Sequence, residues 1–247
     1  MSKESEKKLK WNTKFAVSML VVLFVVPGTL VATWRFGGTN YYLCSLLLIL
    51  YAMVPFFISF ERRKPQAREL VTIAVMSAIA VASRAAFIMV PFFKPMTGII
   101  MITGIAFGSE AGFLTGAVSA FASNFIFGQG PWTPWQMFAY GVAGFLAGVL
   151  GKKGIISGKE RLVTAIVGTI TVLLIVGPIL DTCTFFTVGT GMSTPSVLAV
   201  YMAGLPVNAV HAAATFLTLF LLGRPMLEKL DRIKVKYGMM DGEEDAV

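Results

Sequence analysis

Eight apolar stretches recur along the sequence, and this repetition constrains the fold more than any other feature. They run over roughly 15–34, 41–60, 69–90, 95–108, 109–127, 134–151, 161–188 and 195–222. A helix needs about 20 mostly apolar residues to cross a bilayer, where every backbone polar group must be satisfied within the segment. The expected fold class is therefore an all-α membrane protein. Composition agrees, with 56% hydrophobic and 14% charged residues, against roughly 45–50% and about 25% in soluble domains. A soluble globular domain, a disordered chain and a small disulfide scaffold are excluded. The fourth and fifth stretches are short and separated only by Gly108-Ser109-Glu110. The first is read as a retained helix rather than a signal peptide, because Thr33-Trp34-Arg35-Phe36 follows it without a small-residue cleavage site. Cys44 and Cys183 lie within apolar runs, where free thiols are expected rather than a disulfide.

The net charge of +8 reads as cytoplasmic loops, not as a nucleic-acid surface. With the N-terminus inside, 18 of the 21 Lys and Arg residues fall on the cytoplasmic side and only Arg35 and Lys94 outside. Both termini are accordingly expected in the cytoplasm. The charged run Glu61–Glu69, with Pro65 inside it, is the one clear linker. It suggests three parts: residues 1–64 as two N-terminal helices with basic ends, 65–228 as a six-helix membrane domain, and 229–247 as a charged cytoplasmic tail. Every polar oddity lies in the six-helix part, so function is expected there.

The third stretch carries Ala74, Ala78, Ala82 and Ala86 at every fourth position. At about 100° per residue these share one slowly drifting face, and Arg84 points about 140° away from it. Small side chains let membrane helices pack closely, so the face reads either as internal packing or as a docking strip. Gly104, Gly108, Gly112 and Gly116, and Gly141, Gly144, Gly148 and Gly151, form further small-residue seams.

Charges inside a membrane are costly and are normally paired or functional. Arg84 and Asp181 lie at similar depth below the external ends of their spans, Asp181 just past a kink expected at Gly177-Pro178. Two readings stand side by side: an Arg84–Asp181 ion pair, or a polar site open to the outside that contacts ligand. Asn124 lies at similar depth. Asn208 and His211 lie deeper, and His211 is read as an interhelical hydrogen bonder, with no metal ligand set around it. The loop Gly128-Gln-Gly-Pro-Trp-Thr-Pro-Trp-Gln-Met-Phe138 interleaves Trp132 and Trp135 with Gln129, Thr133 and Gln136. The tryptophans suit interfacial anchoring, and equally the aromatic walls and amides of a bulky organic ligand's site. The loops 90–96 and 188–195 are candidate lids. No P-loop, zinc-protease or nucleophile-elbow motif is present, so no catalytic residue, metal or cofactor is assigned.

A basic segment leading into an alanine-every-four helix, followed by a six-helix block with Gly-Pro-Trp-Thr-Pro-Trp-Gln-Met-Phe opening its fourth helix, resembles the substrate-binding S components of energy-coupling-factor (ECF) vitamin transporters. The resemblance spans about residues 66–224 and leaves the first two helices as an addition. It implies a six-helix S-component-like bundle in a bacterial cell membrane. It also implies capture of a vitamin from outside and docking on a shared transmembrane coupling protein that carries two cytoplasmic ATPases. Ala74, Ala78 and Ala82 match the family's docking face. The loop looks most like the cobalamin or corrinoid branch, with riboflavin and folate-like ligands suited to similar chemistry. Arg84, Asn124, Gln129, Trp132, Trp135, Gln136 and Asp181 are the expected ligand contacts. The competing classes are a stand-alone ion-coupled secondary transporter using Arg84, Asp181 or His211 as a relay, and an intramembrane enzyme built on His211 and Asp181.

Overall fold

The computed structural model describes residues 46–47, 49–54, 57, 67–157, 160–188 and 194–237. The chain divides into two compact units, Met1–Pro55 and Phe56–Val247, a little before the expected boundary at 64/65. In the first unit, residues 46–47 and 49–54 are helical. The span expected at 15–34 and the acidic tail from 239 lie outside the described residues, as does most of the loop at 188–195.

The second unit is built from helices: α1 (Ala67–Ala86), α2 (Met96–Phe107), α3 (Ser109–Phe127), α4 (Thr133–Lys152), α5 (Arg161–Thr171), α6 (Gly177–Val188) and α7 (Thr194–Tyr237), with a π-helical turn, Val172–Val176, joining α5 to α6. Ala67–Ala86, Arg161–Thr187 and Pro195–Tyr237 are each long and apolar enough to cross a membrane by length and composition. These segments follow the stretches read from hydropathy. Helix α2 departs from that reading. Its 12 residues rise only about 18 Å, short of the about 30 Å hydrocarbon core. All of its residues except Ile105 are buried, so it is the centre of the bundle and does not span alone.

Glycine decides how the centre is assembled. Gly108 has φ +91, a backbone state that L side chains rarely adopt, and it separates α2 from α3 with a single residue. The two helices fold back so that Gly104 and Gly112 meet, and α4 lays Gly144 and Gly148 against them. A Cβ on Gly112 would strike the Gly144 carbonyl, and one on Gly144 the Gly112 carbonyl. A Cβ on Gly116 would strike the Tyr140 carbonyl one turn further along. These obstacles are backbone atoms, which cannot swing aside. The two glycine seams in the sequence are thus the two sides of one contact, the close approach that replaces hydrophobic expulsion in lipid.

The α5–α6 helix breaks where Pro178 removes an N–H donor. The π turn absorbs the break, and Gly177 N–H bonds Val172 O five residues back. Helix α7 carries Pro206 in its interior. Between these interruptions the helices exchange side chains: Asn208 packs on bare Gly177, and Asp181 packs on bare Gly204. Helix α7 then runs as one 44-residue rod of about 66 Å, well past the span end expected at 222. Its extension crosses the boundary expected at 228/229, burying Leu227 and Leu230 in the core and pairing Arg224 with Glu228 outside.

Substituting Gly144→Leu should lower the thermal midpoint in detergent sharply, since overpacking typically costs about 1–3 kcal/mol even where neighbours can yield. Gly223→Ala, where a Cβ meets nothing within 4 Å, should leave the midpoint unchanged or slightly raised. Fluorescence-detected size-exclusion after heating checks both.

Candidate functional site

The burial pattern of α1 divides it lengthwise. Ile73, Met76, Ser77, Ala80 and Arg84 are buried, whereas Ala74, Ala78, Ala82 and Ala86 are exposed together with Val71, Val75 and Ile79. The alanine face is therefore open, and the arginine face is turned into the bundle against α3.

Arg84 is 8% exposed. Its Nη1 donates to Ser123 Oγ and to Asn124 Oδ1 (3.1 Å), and the guanidinium lies 4.1 Å above the Phe127 ring. Asn124 passes the network onward, its Nδ2 donating to Thr133 Oγ1 (3.0 Å) and Gln136 Oε1 (2.8 Å). Thr133 Oγ1 accepts the Gly130 N–H and donates to Gln129 Oε1 (2.9 Å), while Gln129 Nε2 caps Phe121 O. The Pro-rich loop holds Thr133 and Gln136 in the first turn of α4, where they face the end of α3. Four of the expected ligand contacts, Arg84, Asn124, Gln129 and Gln136, thus form one continuous chain of hydrogen bonds.

Asp181 is not part of it. Its carboxylate accepts Asn208 Nδ2 at 2.8 Å and lies on Gly204, and the neighbouring Thr182 hydroxyl is 2.7 Å from Tyr201 Oη. Arg84 and Asp181 therefore do not form an ion pair in this structure. The physical reason is direction: matched depth says nothing of azimuth, and Arg84 faces α3 while Asp181 faces α7. His211 joins two helices, its Nε2 2.7 Å from Thr97 Oγ1, and Tyr140 meets its ring edge-on at 5.8 Å. With Thr97 on His211 and Asn208 on Asp181, the two do not form an acid–base pair.

The tryptophans separate. Trp132 is 40% exposed and folds back on its own loop, its Nε1 donating to Gly128 O (3.3 Å). Trp135 is buried, with its ring 6.2 Å from Phe186, which in turn packs on Phe185. Sequence reasoning missed Ser123, Phe127 and Phe186. Ser123 had a signal, since Thr115, Ser119 and Ser123 recur every four residues on α3.

Several buried donors have nothing to donate to. Trp135 Nε1 and Tyr140 Oη find no hydrogen-bond partner among the described residues. Arg84 has five N–H groups, and only those on Nη1 find acceptors among the described residues. Such groups are rare in native interiors and call for an explanation such as a ligand or ordered water. What the arrangement can do is receive carbonyl or ring-nitrogen acceptors beside aromatic surface.

A helical membrane bundle with one polar, donor-rich end and one bare helix face defines a membrane-embedded solute-binding subunit. The model of the family described as "ECF-type riboflavin transporter, S component" matches residues 64–229. The chain belongs to this family, and is a transporter subunit rather than an enzyme. No curated protein and no solved structure matches it.

Asn124→Ala should destabilise the unliganded protein by about 1–3 kcal/mol, because it takes the donor from Gln136 Oε1 and one partner each from Arg84 and Thr133. Trp135→Phe removes an unbonded donor and should leave that stability unchanged. Thermal melting of the two variants without ligand checks the contrast.

Proposed function

We propose that this chain captures a flat, acceptor-rich heteroaromatic vitamin of the riboflavin kind from outside the cell. It then docks on a transmembrane coupling protein served by two cytoplasmic ATPases. The observation that carries the ligand class is the pair of buried donors Trp135 Nε1 and Tyr140 Oη, which find no acceptor among the described residues, with Arg84 bonded there through Nη1 alone and Trp135, Phe185 and Phe186 as aromatic surface. The family's printed description supports the same choice. Asn124, Gln129 and Gln136 hold Arg84 in place from one side, and Asp181 contributes an acceptor from α6. In this reading Ala74, Ala78 and Ala82 are the docking strip, supported by their exposure. In this reading both termini lie in the cytoplasm of a bacterial cell, an orientation that the basic charge of the loops supports. The parts then act separately: residues 1–64 anchor, 65–228 bind, and the charged stretch from 229 faces the cytoplasm.

A corrinoid such as cobalamin is the second reading, and the exposed Trp132 indole at the mouth supports it as a wall for a larger ligand. A stand-alone ion-coupled transporter would need a relay. Arg84, Asp181 and His211 instead have three separate sets of partners.

Purified protein should quench riboflavin fluorescence at sub-stoichiometric ligand with no sodium or proton requirement, and Arg84→Ala should weaken this by about tenfold or more. Tight cobalamin binding with no riboflavin binding would replace the first ligand by the second. Ala78→Trp should keep ligand affinity and lose both coupling-protein capture and ATP-dependent uptake. Uptake abolished by an uncoupler at constant ATP would contradict the importer reading.

A further inference from the structure

At the end of the bundle opposite the tryptophan loop, the start of α1 and the end of α7 enclose a groove of about 330 Å³ lined by Ala67, Arg68, Val71, Thr72, Ile233 and Tyr237. Arg68 closes its floor by donating Nη1 to Tyr237 O at 2.7 Å. Thr72 turns its hydroxyl to Arg68 O, and the other lining residues are apolar or aromatic and exposed, with Val71 62% and Ile233 39% accessible. Beyond the groove, Ala74, Val75, Ala78 and Ile79 of α1 are exposed in turn.

Among the described residues, the exposed charges on the groove side of α7 are basic, and Glu69 of α1 is buried. At about 100° per residue, Lys229 and Lys236 sit about 40–60° from Ile233 on α7, both exposed, whereas Asp231 and Glu228 lie about 140–160° from Ile233. Lys236 Nζ is 5.4 Å from the Tyr237 ring, which anchors it beside the groove. Arg68 keeps N–H groups beyond the one given to Tyr237. Here an apolar slot opens under a cationic rim, beside the foot of a membrane-crossing helix. Basic clusters at that level attract anionic lipid headgroups, and tyrosine is enriched at the same depth.

We propose that this groove seats one anionic phospholipid. Its phosphate is held by Arg68, Lys229 and Lys236, and one acyl chain lies in the slot and up the open face of α1. The lipid then covers the alanine strip of the unpartnered protein. That last consequence rests on the docking role given to the strip, and the lipid seat itself does not.

Native mass spectrometry of the full chain released from mixed phosphatidylglycerol and phosphatidylcholine nanodiscs tests the seat. The expected result is one retained phosphatidylglycerol per chain in preference to phosphatidylcholine, undiminished by excess glycerol phosphate. Lys229→Gln/Lys236→Gln, which leaves the Arg68 latch intact, should weaken retention by about fivefold per charge removed. Val71→Trp, which fills the slot and keeps every charge, should also reduce it. Equal retention of both lipids, or unchanged retention in both variants, overturns the proposal. So does phosphatidylglycerol that binds only after Asp241, Glu243, Glu244 and Asp245 are neutralised, which would make the chain's own acidic segment the occupant. Ligand binding at the other end is measured on the same samples. Its loss alone would count against the vitamin site and leave the lipid seat standing.

Discussion

A guanidinium held inside a membrane bundle without a carboxylate is the constraint around which this protein is arranged. An arginine at this depth is costly unless its hydrogen bonds are made. Here neutral groups make them: Ser123, Asn124 and the face of Phe127. Those groups must themselves be satisfied, which ties α3 to the first turn of α4 and stiffens the Pro-rich loop between them through Thr133 and Gln129. Among the described residues no carboxylate pairs with Arg84, and its N–H groups beyond Nη1 find no acceptor. A carboxylate partner would have made a more self-contained core and a poorer receptor.

That network holds its geometry because the helices beneath it cannot slide. Gly104, Gly112, Gly144 and Gly148 bring three backbones into contact, with no side chains between them to repack. The same economy governs the second polar pair, where Gly177 and Gly204 clear space for Asn208 and Asp181 beside a π turn and a proline. Helix α1 alone is placed differently. One side of it is fixed by Arg84 to α3, and the other, alanine-rich side is left open. Under the proposed function, binding and docking fall on opposite sides of one helix.

Much of this was legible because helical period and hydropathy are strong signals. The alternation of α1 faces followed from the 100° step alone, and the burial of Arg84 opposite the exposed alanines agrees with it. Glycines spaced by four residues left close packing as their natural use. Hydropathy, however, reports lipid and not helix, so the apolar stretch ends at 222 although the helix continues and Leu227 and Leu230 hold it on the core. It also reports depth without direction, so Arg84 and Asp181 were set at the same level and considered as partners, while their neighbours across α3 and α7 were invisible. Trp132 and Trp135 carried equal weight in the sequence, and only the turn into α4 buries one and exposes the other. The π turn came from the need to accommodate Pro178, a break expected simply as a kink.

The most direct measurement is the nitrogen-15 NMR signal of the Arg84 guanidinium, assigned by its absence in Arg84→Lys, recorded with and without saturating riboflavin. The account predicts that the Arg84 Nε–H resonance shifts and becomes protected from exchange with water when ligand binds. An unchanged Arg84 signal in protein shown to be fully liganded would contradict it.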